Sequence, residues 1–180
     1  MLYFLIAAAL VAAVGALIDF RTGHIPNWLT LGTLPVAVLA HGIVGWRIAG
    51  GVNGGLSGLG FSLAGVAMCT AVPLFMYFRG AIGGGDVKLF AAIGALCQPL
   101  AGLEVETYSF LVAAVIAPAK LAYDGRLLQT LGRTLALVVN PFRKKERRSA
   151  IPAEMMTWFR LGPAIFIGAA ATVLMHWDWP

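Results

Sequence analysis

The sequence has few charged residues. Only 12% of its 180 residues are Asp, Glu, Lys or Arg, whereas 59% are hydrophobic. A soluble domain of this size carries about 25% charged residues, so a single soluble domain is excluded. Several apolar runs approach the roughly 20 residues that a helix needs to cross the hydrocarbon core of a bilayer. The composition therefore predicts a polytopic membrane protein.

Cysteine is also scarce. The only two cysteines, Cys69 and Cys97, lie in apolar runs and form no C-x-x-C pair. This spacing excludes a cysteine-based zinc module and a disulfide framework, and it favours packing roles as small apolar side chains. Residues 1–18 carry no charge, so they lack the basic segment that begins a signal peptide. We expect them to form a retained helix.

The predicted fold class is all-α, a membrane helix bundle with about six transmembrane spans in one domain. The fourth and fifth spans are short and share a hairpin, so a re-entrant pair stays open. Threading six spans places every Lys and Arg except Arg47 on one side, which the positive-inside rule makes cytoplasmic, with both termini outside. The predicted spans are 1–18, 28–46, 55–78, 88–103, 107–123 and 161–177.

Residues 124–160 form the predicted cytoplasmic basic loop. Leucines recur at helical spacing from Leu127 to Leu135, which predicts an interfacial amphipathic helix. The basic run 143–148 follows and would attract anionic lipids. Its role is either to fix topology and contact lipid or to help gather a substrate on the same leaflet. Because the +5 charge is sorted by membrane side, it does not indicate a nucleic-acid partner.

Two aspartates lie at predicted cytoplasmic span ends. Asp19 closes the first span and Asp86 opens the fourth. An ionisable group at the rim of a bundle is costly unless it is hydrated or functional. Two such carboxyl groups suit an aspartic peptidase, in which the pair shares a proton because close like charges do not both ionise. We therefore predict Asp19 and Asp86 as catalytic residues.

Each aspartate also has a purely structural explanation. Asp19 beside Arg21 fits an interfacial anchor or ion pair, and Asp86 at a helix start fits an N-cap. The turn before Asp86 consists of Gly83, Gly84 and Gly85. In the catalytic interpretation, these glycines leave room for the backbone of a peptide substrate to approach. In the alternative interpretation, the turn is a simple hinge between helices.

Two motifs resemble those of the type IV prepilin peptidases. Gly83-Gly84-Gly85-Asp86-Val87-Lys88-Leu89 resembles the signature G-x-G-D-x-K-L, and Asp19, followed by Ile25-Pro26-Asn27, is similar to the second motif. Leu161-Gly162-Pro163 resembles the Gly-Pro start of the last span. The resemblance covers essentially the whole chain in motif order. It implies that Asp19 and Asp86 are catalytic, with no cofactor or metal.

The resemblance also implies a substrate and a location. Larger relatives carry a cytoplasmic insertion with paired C-x-x-C zinc ligands, and they methylate the new N-terminus. This chain has neither the insertion nor those cysteines, so N-methylation is not expected. Its size resembles the short branch that processes Flp-type (tight-adherence) pilins. The expected partners are prepilin or pseudopilin precursors and anionic lipids, with pilus-assembly machinery a further candidate. The expected location is the bacterial inner membrane.

Supporting roles are open for four further residues. Lys88 would tune acidity, contact substrate or extend to lipid headgroups. Arg21 would form an ion pair with Asp19 or support substrate binding, and Pro26 and Asn27 would start the second span.

Two other classes compete with this prediction. Presenilin-type peptidases share the G-x-G-D motif but place both aspartates within adjacent long helices, and the Ile-Pro-Asn motif favours the prepilin type. A small proton- or cation-coupled transporter, or an accessory subunit of a secretion or pilus system, would use the same aspartates. Transport calls for polar residues at mid-membrane, whereas the span centres look almost uniformly apolar.

Overall fold

The structure, a computed structural model, describes residues 2–123 and 160–177. Within those ranges it is all-helical, which confirms the predicted fold class. Four helices are long and apolar enough to cross a membrane, and a fifth apolar helix is shorter. The helices are α1 (Leu2–Thr22), α2 (Asn27–Ile48), α3 (Val52–Phe78), α4 (Gly84–Tyr123) and α5 (Gly162–Met175).

Helix α4 consists of two arms that reverse direction at Gln98. The rings of Phe90 and Phe110 lie 5.6 Å apart between centroids, although twenty residues of continuous helix would span about 30 Å. A Cβ on Gly102 would lie 3.4 Å from the Cα of Gly94. Residues 84–97 therefore form a first arm. The second arm begins at residue 99, and residues 99–113 run back beside the first arm.

The sequence around Gln98 explains the reversal. Gln98 has φ 61° and ψ −178°, a region that costs a non-glycine residue about 1–3 kcal/mol. It precedes Pro99, and the residue before a proline is disfavoured in the α conformation. Pro99 also lacks the backbone N–H that would pair with the Ala95 carbonyl in a continuous helix. The chain therefore leaves helical geometry at this dipeptide.

Side chains from α2 and α3 satisfy the carbonyl groups at the reversal. Ser62 donates to the Ala95 carbonyl at 2.8 Å, and His41 Nε2 lies 2.8 Å from the Leu96 carbonyl oxygen. The Gln98 side-chain amide lies 3.0 Å from His41 Nδ1. Because Nδ1 accepts from that amide, the ring proton is on Nε2 and is donated to Leu96. A buried imidazole thus completes a hydrogen-bonded cap.

Glycines bring the helix backbones into contact. A Cβ on Gly58 would lie 2.2 Å from the His41 carbonyl oxygen, so α2 and α3 pack backbone to backbone. A Cβ on Gly65 would lie 2.1 Å from the Gly94 carbonyl oxygen, which places α3 equally close to the first arm. These contacts match the close approach that small residues allow between membrane helices.

The first arm forms the centre of the core. Val87, Leu89 and Phe90 are buried, and burial continues without interruption to Cys97. Helix α1 packs extensively against α5, and α2 packs against α3, whereas α1 and α2 touch only slightly. The two packed pairs thus position the arm that carries Asp86.

The six predicted spans stay predictions, but the position of the turn between the fourth and fifth spans can be compared with the break in α4. The fourth and fifth spans were predicted to meet between residues 103 and 107, but the reversal lies at Gln98. The first arm is only about 21 Å long at about 1.5 Å per residue, which is shorter than the roughly 30 Å hydrocarbon core. The re-entrant alternative for the hairpin therefore stays open.

The chain divides into two compact units. Residues 1–113 and 160–180 form one unit and residues 114–159 the other. The structure describes only residues 114–123 of the second unit, and these form the last turns of α4. The predicted amphipathic helix and the basic run 143–148 lie outside the described residues, so both stay predictions.

We predict that His41→Phe destabilises the protein by about 1–3 kcal/mol for each polar group it leaves unpaired. A phenylalanine retains the stacking on Phe4, whose ring centroid lies 3.9 Å from that of His41, but it donates no hydrogen bond. His41→Gln retains a donor and should lose less stability. Unfolding in mixed detergent measures both variants, and equal losses would show that the Leu96 cap contributes little.

Candidate active site

Asp19 and Asp86 meet at one end of the helix bundle. Asp19 lies in the last turn of α1 and Asp86 in the first turn of α4. Their exposed fractions are 7% and 8%. A Cβ on Gly15 would lie 3.4 Å from the Leu89 side chain, and a Cβ on Gly85 would lie 3.2 Å from Cβ of Ile25, so the two helix ends are adjacent. The structure therefore brings together two carboxyl groups that are 67 positions apart in sequence.

The glycine turn shapes the surroundings of Asp86. The Gly83 backbone N–H donates to Asp86 Oδ2 at 3.1 Å, and the Asp86 N–H donates back to the Gly83 carbonyl at 3.2 Å. This reciprocal pair fixes the carboxyl group at the helix start, where the helix dipole favours negative charge. A Cβ on Gly85 would lie 3.2 Å from Cβ of Ile25, so the turn packs closely on the loop before α2.

The start of α5 encloses Asp19. A Cβ on Gly162 would lie 2.9 Å from Asp19 Oδ2 and 3.2 Å from the Cα of Ala16, so only glycine fits without displacement. The Gly162 backbone amide interacts with the Asp19 carboxyl group. Asp19 Oδ2 itself is buried and has no hydrogen-bond partner within the described residues. That oxygen is available for a proton, a water molecule or a substrate group.

Arg160 is the basic residue beside Asp19. Its guanidinium interacts with the Asp19 carboxyl group, and its Nη1 donates to the backbone carbonyl of Phe20. Arg21, the ion-pair partner suggested by the sequence, is exposed, and its pairing with Asp19 stays a prediction. Arg160 was not predicted from the sequence, although its position two residues before Gly162 offered a signal.

The remaining predicted residues lie around this pair. Lys88 donates from Nζ to Asn27 Oδ1 at 2.8 Å and so joins α4 to α2. Pro26 precedes the first residue of α2 and adopts an extended conformation. A Cβ on Gly84 would lie 3.4 Å from the Tyr77 ring. The contact of Lys88 thus favours a structural role over extension to lipid headgroups.

The site resembles a general acid–base centre in its composition. The described part of the chain contains no group of three or more His, Cys, Asp or Glu residues placed to hold a metal ion. Two interacting carboxyl groups can divide the roles of base and acid toward water and a peptide carbonyl. The arrangement is thus suited to hydrolysis by an activated water molecule.

Comparison with known families identifies the chain. The model of the type IV leader peptidase family matches residues 4–118. The chain belongs to the type IV leader peptidase family. Comparison with curated proteins and with solved structures gives no match. The matched range includes Asp19, Asp86 and the whole glycine turn, and membership makes the chain a membrane peptidase with a prepilin-type substrate in general.

The family match ends before α5. Gly162 and Arg160 lie beyond residue 118. Gly162 belongs to the Gly-Pro motif that resembles the start of the last span, and the geometry places both residues beside the end of α1. Both contact the carboxyl end of α1, which makes α5 part of the wall around Asp19. A variant in this wall tests whether the placement of Asp19 governs activity.

We predict that Gly162→Ala lowers the rate of leader cleavage by about 10- to 100-fold, because a small misplacement of a catalytic group can cost about 100-fold. The added methyl group would press on Asp19 Oδ2. Gly168→Ala is the matched control, since Gly168 also lies on α5 but its Cβ would crowd Ser109 of α4 rather than Asp19. Cleavage rates are compared at equal amounts of folded protein. Similar rates in the two variants would contradict this role of Gly162.

Proposed function

We propose that the chain is an aspartic endopeptidase that removes the basic leader peptide from prepilin or prepilin-like precursors. The observation that carries this proposal is the burial of Asp19 and Asp86 at one end of the bundle, where a Cβ on Gly15 of α1 would lie 3.4 Å from the Leu89 side chain of α4. Membership of the leader peptidase family supports the substrate class.

The mechanism follows from a shared proton. In the resting pair, one carboxyl group is ionised and the other is protonated, because two adjacent buried charges repel. The carboxylate takes a proton from water, and the carboxylic acid donates a hydrogen bond to the scissile carbonyl. The pair titrates as a unit. The hydroxide adds to the carbonyl carbon, and the tetrahedral intermediate breaks down as the leaving amine is protonated.

The substrate and membrane side follow from the sequence pattern. The positive-inside rule places the Asp19 and Asp86 ends on the cytoplasmic face of the inner membrane, where a basic leader would lie. The absence of paired C-x-x-C motifs from residues 1–180 supports Flp-type precursors and a reaction without N-methylation. The scissile bond would lie between the cytoplasmic leader and the apolar helical segment of the precursor.

We predict that Asp19→Asn and Asp86→Asn each abolish cleavage of a co-expressed Flp-type prepilin. An amide cannot serve as the base or share the proton, and removal of one acid–base group typically costs about 100- to 10,000-fold. Glu104→Gln is the matched control, because Glu104 pairs with His176 at 2.6 Å near the far end of α5. Precursor and product are separated on a gel at equal enzyme levels.

Each result is interpreted by comparison with the Glu104→Gln control. Loss in both aspartate variants, with cleavage retained in Glu104→Gln, supports the paired mechanism. If a well-inserted Asp19→Asn or Asp86→Asn variant cleaves at the wild-type rate, that aspartate is an anchor or a cap and the mechanism is wrong. If the wild type leaves this precursor intact, Flp-type pilin is not the substrate.

One buried carboxyl group favours a second candidate function. Glu106 has an exposed fraction of 4%, and its Oε2 has no hydrogen-bond partner within the described residues. Glu106 lies between the fourth and fifth predicted spans, but the structure places it within α4, eight residues after the reversal at Gln98. Intramembrane carboxyl groups often mark proton pathways, so a transporter would have a group to use.

We predict that the wild type carries no proton flux in proteoliposomes and that Glu106→Gln still cleaves the precursor. An imposed pH gradient with an internal dye measures the flux, and the gel assay measures cleavage. Flux in the wild type that disappears in Glu106→Gln would establish the transporter. Absence of flux together with unimpaired cleavage would leave Glu106 outside the function of the protein.

A further inference from the structure

Helix α1 ends in a glycine cap that leaves one carbonyl group to be satisfied from elsewhere. Gly23 has φ 69°, and its N–H donates to the Asp19 carbonyl at 2.8 Å, as in the left-handed caps common at helix ends. The Thr22 hydroxyl donates to the Ile18 carbonyl at 2.8 Å. The Phe20 carbonyl lies in the same last turn, where a helix has no backbone donors of its own to offer.

Arg160 supplies the donor for this carbonyl from 140 positions further along the chain. Its Nη1 donates to the Phe20 carbonyl, and its Nη2 lies 3.6 Å from the position of a Cβ on Gly23. A guanidinium presents several N–H donors in a planar fork, and the helix dipole favours a cation at the carboxyl end of a helix. The segment before α5 is thereby fastened to the end of α1.

The same contact holds a positive charge beside the Asp19 carboxyl group. Phe20 follows Asp19 directly, and a Cβ on Gly162, two residues after Arg160, would lie 2.9 Å from Asp19 Oδ2. The guanidinium and the Gly162 backbone amide both interact with this carboxyl group. A nearby positive charge favours the carboxylate over the carboxylic acid, so Arg160 acts on the charge state of Asp19 as well as on the helix cap.

Other basic side chains at this end of the bundle are held differently. Lys88 of α4 donates to the first residue of α2, and the guanidinium of Arg79, which follows α3, lies 5.0 Å from the centroid of an aromatic ring. Among the described residues, Arg160 is the cation that a hydrogen bond joins to the last turn of α1. The remaining ionisable groups near Asp19 are Asp86 on α4, Arg21 on α1 and His24 in the loop before α2.

We propose that Arg160 is a positioning residue whose charge, held on the Phe20 carbonyl, keeps the aspartate pair in the singly ionised state that cleavage requires. This inference rests on the proposed function. A doubly protonated pair contains no base to take a proton from water, and the positive charge favours loss of the first proton. Arg160 acts through Asp19 and transfers no proton itself, because a guanidinium stays protonated in proteins.

Arg160→Gln tests the charge, because glutamine retains an N–H donor for the Phe20 carbonyl but is neutral. We expect the acidic limb of kcat/KM against pH to lie about half a pH unit above that of wild type. Without the cation, a higher pH is needed to ionise the pair, and the shift is small because the exposed guanidinium is screened by water. The deficit should be in kcat rather than KM, and it should shrink as the pH rises.

Two further variants separate the charge from the helix cap. Arg160→Lys retains the charge without the planar fork, so its acidic limb should coincide with that of wild type even where its rate is lower. Arg79→Gln is the matched control, because it removes the same charge from the same end of the bundle, where Arg79 contacts the Phe75 ring. Its profile should also coincide with that of wild type. Equal losses in Arg160→Gln and Arg160→Lys at every pH would reduce Arg160 to a structural cap and overturn the proposal.

Carboxyl labelling gives a second readout that does not depend on cleavage. A hydrophobic carbodiimide modifies protonated carboxyl groups, and peptide mass spectrometry reports the modified fraction of Asp19 at each pH. In an Asp86→Asn background, Asp19 titrates without its partner. Adding Arg160→Gln to this background should extend the labelling of Asp19 to higher pH, whereas adding Arg79→Gln should leave it unchanged. Identical labelling with and without Arg160 would overturn the proposal.

The outcomes separate this inference from the proposed function. If the wild type cleaves the precursor and Arg160→Gln follows the wild-type pH profile, Arg160 has no role in ionising the pair and the peptidase proposal stands. If labelling of Asp19 depends on Arg160 but the wild type cleaves no prepilin, the effect of the guanidinium on Asp19 stands and the proposed function fails.

Discussion

The structure depends on satisfying backbone carbonyl groups where the chain reverses inside an apolar bundle. Proline at position 99 removes a donor, and in lipid no water replaces it. Ser62 and His41 supply the missing hydrogen bonds from two other helices. Because these donors belong to α2 and α3, the reversal is possible only when both helices are packed against the first arm. That arm carries Asp86, so the same interactions determine where one half of the site lies.

The site combines parts of the chain that are far apart in sequence. α1 supplies Asp19, the glycine turn before α4 supplies Asp86, and the start of α5 covers Asp19 through Gly162. Backbone amides contact both carboxyl groups, and Arg160 adds a positive charge near one of them. These backbone amides and the Arg160 charge stabilise the two buried carboxyl groups. Asp19 Oδ2 has no hydrogen-bond partner within the described residues, so it is free to bind a proton, water or substrate.

Sequence patterns located the helices and the acidic pair better than the hairpin. Long apolar runs bounded by charged residues mark α1 to α3 clearly, because the bilayer requires length and apolarity. The break in α4 was placed at residues 103–107, where Glu104 and Glu106 interrupt the apolar run, rather than at Gln98-Pro99. The glutamates proved compatible with helix, whereas the dipeptide is not, since proline removes a backbone donor. The missing backbone donor of Pro99, rather than the local hydropathy, therefore decides where α4 breaks.

The sequence by itself determined the all-helical membrane fold, the leader peptidase motifs and the two aspartates that we propose as catalytic, because these depend on composition and local spacing. Only the tertiary structure decided that Arg160 lies near Asp19, that His41 caps the hairpin, and that α1 and α2 diverge. These features come from contacts between helices distant in the chain. No local pattern encodes such contacts, since each depends on which faces pack together.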